Sequence, residues 1–499
     1  MIIQRLRRIA ALGLVVVLVS ACGEGITDMN VNPAEPVEVQ PGLLLTGLQL
    51  DAADAQGTDL IFSEGMIQHI AHYIWPGDKY YIGVIDSWPR ALWNEFYGGG
   101  QARNIQQLLA LTAENPQDVN RHAIARIWRV FLVHLVTDTF GDIPYKEAGM
   151  GYLGDITRPA YDPQEEIYMD MLKELREATA ALDPNMPSYG AQDLIYGGDL
   201  EQWKKFGNSL MLRLAMRLTK VAPDLAQQWA QRAYEGGVMT DVDDSAYIMM
   251  ANGPGAINQN PVARNFESEP PWPTRPFIDA LREKGDPRLS RLVAVQKDGV
   301  WVSDPAIQKG LPIGHDQGSI SLDPYHTTFE DYSRVHPELR GFDDPIFFLM
   351  HSEVEFLLAE AAHRNWIQGD AEDFYERGVR SAMQQLAFYG PGAVIPDEEI
   401  NAYLAAHPFD PSNAFAQLGH EMWVSLFLNG YNAWAHWRRT GYPELIPTNH
   451  PDNLTNGQIP RRLLYPQEEL TLNGEHYQEA IARQGPDEFM TRVWWDVAQ

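Results

Sequence analysis

Across 499 residues there is one cysteine, Cys22. A lone thiol closes no internal disulfide and completes no CxxC redox or zinc motif. Cations are also scarce. Against 67 Asp and Glu stand 38 Lys and Arg, for a net charge of −29, and a surface this acidic repels phosphate backbones and anionic headgroups, which makes nucleic acid a poor partner. The longest apolar run, Ile9 to Val19, is too short to cross the roughly 30 Å of bilayer hydrocarbon as a helix. Catalytic signatures are missing too: there is no GxSxG elbow, P-loop or GxGxxG, and His420-Glu421 opens an HExxH look-alike whose second histidine position holds Val424. No enzyme activity and no cofactor are expected.

What is present begins with an export signal, residues 1–21. Arg5, Arg7 and Arg8 form a basic head, the apolar run follows, and Ser20 and Ala21 make a small-residue cleavage site. Cys22 comes directly after Val19-Ser20-Ala21, which matches the bacterial lipobox. That resemblance implies cleavage before Cys22 and acylation of its thiol and new amino group. Each buried methylene contributes about 0.8 kcal/mol, so two or three long chains make a durable anchor. Losing residues 1–21 removes three cations and no acid, moving the net charge from −29 to −32. Residues 22–42, rich in Gly, Pro and Asn, read as an extended leader, and residues 43–499 as one large domain.

Helices dominate that domain. Amphipathic periodicity predicts them over 60–73, 90–111, 120–136, 165–182, 202–220, 225–234, 352–365, 371–388, 398–406 and 414–438. The fold class is therefore all-α. Leu358, Ala359, Ala362, Ala371, Tyr375 and Gly378 stand at tetratricopeptide spacing, with small residues where two helices must approach and an aromatic where the next repeat packs. Residues 238–345 differ. Pro and Gly punctuate them too often for long helices, and only a minor β-hairpin is expected, at 292–302 around Asp298-Gly299. A loop-rich insert of this length is functional or covers a neighbour.

Several ordered motifs resemble one family. These are DMNVNPAEP (28–36), VTDTFGDIPYKEA (136–148), WKKFGNSLMLRLAMRL (203–218), EVEFLLAEAAHRNW (353–366), WVSLFLNGYNAWAHWRRTGYP (423–443), IPRRLLYPQEELTLN (459–473) and the ending VWWD (493–496). Together they resemble the SusD/RagB-like nutrient-binding outer-membrane lipoproteins, in the branch called SusD-like type two. The resemblance implies tetratricopeptide-like hairpins, a lipid anchor at the outer membrane of a Gram-negative cell, facing outward, and a SusC-like TonB-dependent transporter as partner. The cargo it implies is an oligosaccharide or another large nutrient. The same motifs also have structural readings: Gly141 and Pro144 end a helix, with Asp138 or Asp142 bonding turn amides. Arg213 and Arg217 meet buried carboxylates, and Arg438 and Arg439 sit near the negative end of a helix.

A sugar offers an apolar C–H face and a rim of hydroxyls, so its binder needs flat rings flanked by carboxylates, amides and guanidinium groups. Residues 73–97 hold eight aromatics where an 11% composition gives about three. Trp75, Asp78, Tyr80 and Tyr81 fall in the loop between two predicted helices, while Trp93, Phe96 and Tyr97 have helical spacing and belong to the core. Trp272 and Arg275 in PPWPTRP, and Trp301 after the hairpin, form a second candidate set. Asp241, Asp243 and Asp244 lack the glycine and terminal glutamate of a calcium loop and read as a solvated acidic turn. His69 with His72, and His134 with Asp138, lie one helical turn apart, but no third ligand is in sight and no metal is expected. Two other classes stay open: a secreted glycoside hydrolase needing only two of the 67 acids, and a peptide-binding repeat scaffold.

Overall fold

The computed structural model describes residues 39–81, 88–268 and 270–498. The signal, Cys22 and most of the leader lie outside the described residues. Helices build the frame: α1 (Pro41–Met66), α2 (Gln101–Ala113), α3 (Val119–Phe140), α4 (Gln164–Ala181), α5 (Leu200–Arg217) and α6 (Pro223–Gly236) run first, each packing on the next or on a near neighbour. After them come α7 (Pro261–Ser268) and α8 (Arg275–Glu283), then α9 (His351–His363), α10 (Ala371–Gln384), α11 (Asp397–Ala406), α12 (Ala414–Ser425), α13 (Gly430–Thr440), α14 (Gln467–Leu472) and α15 (Gly474–Gln484). Among the described residues none is long and apolar enough to cross a membrane.

The hairpin α9–α10 has the packing its small residues require. A Cβ added at Gly378 would meet the Phe356 ring at 2.6 Å, so only glycine lets these helices approach so closely. Tyr375 is fully buried, and its hydroxyl donates to the His407 carbonyl at the end of α11 (3.0 Å), tying one hairpin to the next.

The buried arginines are matched to acids. Arg213 forks onto Glu353 with two contacts of 2.6 Å, Arg439 onto Glu360 at 2.6 and 2.7 Å, and Arg288 bridges Asp286 and Glu421. Arg217 reaches Asp138 at 3.3 Å. Asp138 bonds no turn amide. It accepts from Tyr168 and from Trp495 Nε1 of the C-terminal VWWD, while Asp142 caps the backbone of Gln164. Arg438 covers the Trp434 ring at 3.6 Å and donates to the carbonyls of Asp138 and Arg461. The acidic turn is solvated at Asp241 and Asp243, which are exposed, but Asp244 is buried and accepts from Lys205 Nζ and the amides of Thr240 and Asp241.

Boundaries shift where glycine or strain intervenes. The first helix spans 41–66, not 60–73, because its inward face carries Gln49, Asp59 and several glycines that hide the apolar period. It ends before Gln68, whose φ of +63° turns the chain out, so His69 and His72 share no helix. The 90–111 stretch breaks at Gly98-Gly99-Gly100, and 414–438 divides at Leu428, φ +67°. The insert 238–345 holds helices as well as loops. α7 and α8 both carry proline in their first turn, where its missing N–H costs nothing, and Thr274 caps α8 by accepting from Phe277 N.

The strands are short. β1 (Ile70–Ala71) pairs with β5 (Trp272–Pro273), β2 (Ile143–Pro144) with β3 (Tyr161–Asp162), and β4 (Ala246–Met249) with β9 (Pro345–Leu349), all antiparallel. The expected hairpin forms from β6 (Val293–Lys297) and β7 (Val300–Val302), and β8 (Arg334–Val335) joins its other edge.

Candidate functional site

The loop after α1 is closed by a buried lysine. Lys79 Nζ donates to the carbonyls of His72 (2.8 Å) and Trp75 (2.7 Å) and to Asp78 Oδ1 (2.7 Å), which uses all three of its donors. The other Asp78 oxygen accepts from Gly314 N at 2.7 Å, and its carbonyl from Thr448 Oγ1. One acid–base pair thus ties the segments around 72–81, 311–325 and 446–455 into a single unit. Gly77 allows the unit to rest on α1, since a Cβ there would stand 2.3 Å from the Phe62 carbonyl.

A second, small hydrophobic core collects above this knot. Ala71, Trp272, Leu311, Ile320 and Tyr332 form it, with Tyr73, Ile313, Tyr325 and Phe329 packed around them. The β1–β5 ribbon sets Tyr73 near Trp272, and the loop before β8 brings in Phe329. The three rings stand 5.7, 5.3 and 5.1 Å apart, centre to centre, within the range where aromatic pairs attract. His72 stacks on Tyr73 at 4.4 Å and on Trp272 at 5.2 Å. Burial, with Lys79 and Arg334 adding repulsion, pushes its pKa down to about 3, so the imidazole is neutral. Arg334 lies over Trp272, 3.9 Å from the ring centre, and donates to the Pro270 carbonyl. Burial and the neighbouring Arg340 lower its pKa to about 10, which leaves it charged at neutral pH.

His72, Tyr73, Trp272, Phe329 and Arg334, with Gln317 and Ser268, line a pocket of about 370 Å³. Tyr73 and Phe329 are only half-buried, so parts of both rings face it. Flat apolar surface beside a guanidinium, an amide and a hydroxyl suits a saturated ring edged with hydroxyls. Among the described residues no three His, Cys, Asp or Glu side chains are placed to hold a metal ion. His69 bonds Glu64 and the Trp423 carbonyl, and His134 bonds the Phe131 carbonyl and Arg213.

Of the residues expected to touch a ligand, Trp272 lines this pocket, but at 4% exposure it is covered by Arg334, His72 and Phe329 and supports the half-buried rings of Tyr73 and Phe329 rather than offering an open face. Tyr81 does not line the pocket: it is half-buried and stacked parallel on His450 at 5.3 Å, and His450 in turn meets Asp316. Trp75 and Tyr80 are corrected: they are 4% and 0% exposed and present no open ring. The cause is Lys79, which draws the loop carbonyls inward and the rings with them. Asp78 is buried as part of the knot. Arg275 is half-exposed, packs over Tyr325 at 4.2 Å and faces an adjoining groove. Trp301, half-buried on β7, lies under Arg340 at 4.6 Å and outside the pocket. Phe329, Arg334 and Gln317 were not anticipated. The signal available for them was HTTFEDYSR, where Phe329 and Tyr332 follow Tyr325 at intervals of four and three inside the loop-rich insert.

The profile of a family described as "Starch-binding associating with outer membrane", SusD-like, matches residues 33–466. Among solved structures, a chitin-binding protein superposes with a TM-score of 0.82 at 32% identity, covering 92% of this chain and 100% of its own. A SusD-like protein of the Bacteroidetes gives 0.81 at 29%, over 92% and 100%. A chitin-binding SusD homologue from Flavobacterium johnsoniae gives 0.75 at 25%, over 92% and 98%. No curated protein matches by sequence.

Proposed function

The chain belongs to the SusD-like family, and from that premise we propose that it captures oligosaccharides outside the cell and passes them to a SusC-like TonB-dependent transporter. It acts without catalysis, held to the outer membrane by acyl chains on Cys22. The observation that carries the reading is the Tyr73–Trp272–Phe329 ring cluster at the pocket with Arg334 and Gln317.

The energetics suit a catcher. Covering roughly 50 Å² of apolar surface at each of the half-buried Tyr73 and Phe329 rings yields about 1–1.5 kcal/mol per ring at about 25 cal/mol per Å². Ordering a flexible glycan offsets part of that, so weak binding, with dissociation constants of about millimolar, follows. Release to a neighbour is then quick, and tethering beside the transporter mouth raises the effective concentration.

Titration calorimetry with chitin and starch oligosaccharides tests this. The mature chain should bind at least one of them, and changing Tyr73 and Phe329 together to Ala should weaken that binding about 30- to 150-fold, at about 1–1.5 kcal/mol per ring. Binding that survives the double change would remove this site. Absence of binding to every glycan tried would remove the function.

A further inference from the structure

Beside the ring pocket lies a larger groove, about 590 Å³, between α8, the 312–323 loop, α12 and the 443–446 strap. Trp272 closes strand β5's pairing with β1 and Arg275, three residues on, opens α8, so the pocket and the groove adjoin along one short segment. Their chemistry differs. The groove has Asp279, Glu283, Asp323 and Glu444 on its walls against a single cation, Arg275. That cation is already engaged, 3.3 Å from Asp279 and stacked on Tyr325, and Asp279 is also paired with Arg282 at 2.6 Å. Asp323 is occupied by His315 at 3.1 Å, so the unmatched acids are Glu283 and Glu444. Glu283 and Glu444 are exposed, and among the described residues neither has a cation within ion-pair distance.

An independent feature points to an occupant. His420 on α12 lines the same groove at 8% exposure, and its Nε2 has no hydrogen-bond partner. A buried polar atom left unpaired is costly, and a group that pairs with it gains that cost back. Burial, with Lys284 and Arg288 adding repulsion, holds the imidazole neutral, at a pKa of about 3, so it offers no opposing charge. Trp423 beneath it is locked by its Nε1 donating to the Ile67 carbonyl at 2.8 Å, which keeps the floor apolar and fixed.

Resting on the glycan-capture reading above, we propose that this groove is a subsite for a positively charged sugar, an oligosaccharide bearing free amines such as partly deacetylated chitin. Ring units stack in the pocket, and an ammonium further along the same chain sits between Glu283 and Glu444. A basic peptide would carry the same charge, but peptide capture favours a free strand edge. Here the edge is taken: Leu311 pairs with Pro273 and with Arg275 through backbone hydrogen bonds of 3.0 and 2.8 Å.

The test is calorimetry on the mature chain, at about pH 6 so that amines are charged, with glucosamine and N-acetylglucosamine oligomers of equal length and an oligolysine. The glucosamine oligomer should bind about three- to tenfold more tightly in about 0.05 M salt, and the advantage should vanish in about 0.5 M salt. E283Q with E444Q should bring the two sugars to the same affinity. Equal affinities in the unaltered chain, or a preference that survives both substitutions, would overturn the subsite while leaving glycan capture intact. Oligolysine binding more tightly than either sugar would overturn it in favour of peptides. Failure of both sugars to bind would also overturn the subsite, and would reach the capture function only if starch oligosaccharides failed to bind as well.

Discussion

Arg213 and Arg334 are both guanidinium groups drawn out of water, one in the helical frame and one under the ring pocket, and the molecule accommodates them by opposite means. Arg213 is fully buried and fully matched: Glu353 takes two of its N–H groups, the Phe348 carbonyl a third, and Nη1 faces His134 at 3.2 Å. Arg334 has no carboxylate within ion-pair distance among the described residues. It rests on Trp272 and donates once, to Pro270. An ion pair with every guanidinium nitrogen paired fixes the orientation of the helices that carry it. A cation on a ring is held by a weaker, less directional attraction and keeps donors in reserve. The frame uses its charges to define itself, and the loop face leaves one available to a ligand.

The strongest way to break this comparison is at the pair. Arg213→Met leaves Glu353 buried without a counter-charge, and a loss of about 3–5 kcal/mol is expected in denaturant unfolding. Adding Glu353→Met should restore most of it, since neither half of a missing pair needs solvating. A single variant as stable as the parent would mean the pair contributes no specificity to the frame.

Acid probes the same contrast next. Burial works to raise the pKa of Glu360, but Arg439 and Arg364 outweigh it and hold it at about 2, against an ordinary glutamate value near 4.5. A carboxyl with a lowered folded pKa stabilises the protein above its unfolded pKa, and that stabilisation is lost as pH falls from about 4.5 through about 2. The whole contribution is about 3 kcal/mol. Replacing Glu360 with Gln should therefore flatten the pH dependence of stability in that window only. The His72 pKa is also lowered, to about 3, so its stabilisation begins to fade as pH drops below about 6.5, in the same window as that of the frame histidines His134 and His436, whose pKa values burial also lowers.

The same contrast explains what was legible in the sequence. The frame reads well because helix periodicity and small-residue spacing are local: α3, α4, α5, α6, α9 and α11 stand within a few residues of their predicted limits, and the Asp298-Gly299 turn closes a hairpin where expected. The loop face reads poorly because its geometry is set by distant partners. Nothing local to YIWPGDKYY says that Lys79 will find two carbonyls and turn Trp75 and Tyr80 inward. Nor does it say that Phe329, some 250 residues later, will complete the ring cluster with Tyr73. Trp272 was recoverable because proline on either side forces it onto a short extended segment, where it pairs with β1.

The smallest effect on stability, and the sharpest test of the contrast, comes from Arg334→Met. Methionine keeps an apolar stem against Trp272 and removes only the charge and its donors, so unfolding should shift by about 0.5–1.5 kcal/mol, the range for a partly desolvated cation–π contact. Affinity for the captured glycan should fall about three- to tenfold, because the donors that Arg334 holds in reserve are the ones a sugar hydroxyl would use. Lysine at the same position should recover part of the affinity, since the ammonium restores a charge and donors without the planar fork. If Arg334→Met destabilised the chain as much as Arg213→Met does, with affinity following stability down, the loop cation would be doing a frame cation's work, and the division between a charge-paired frame and a ring-supported ligand face would collapse.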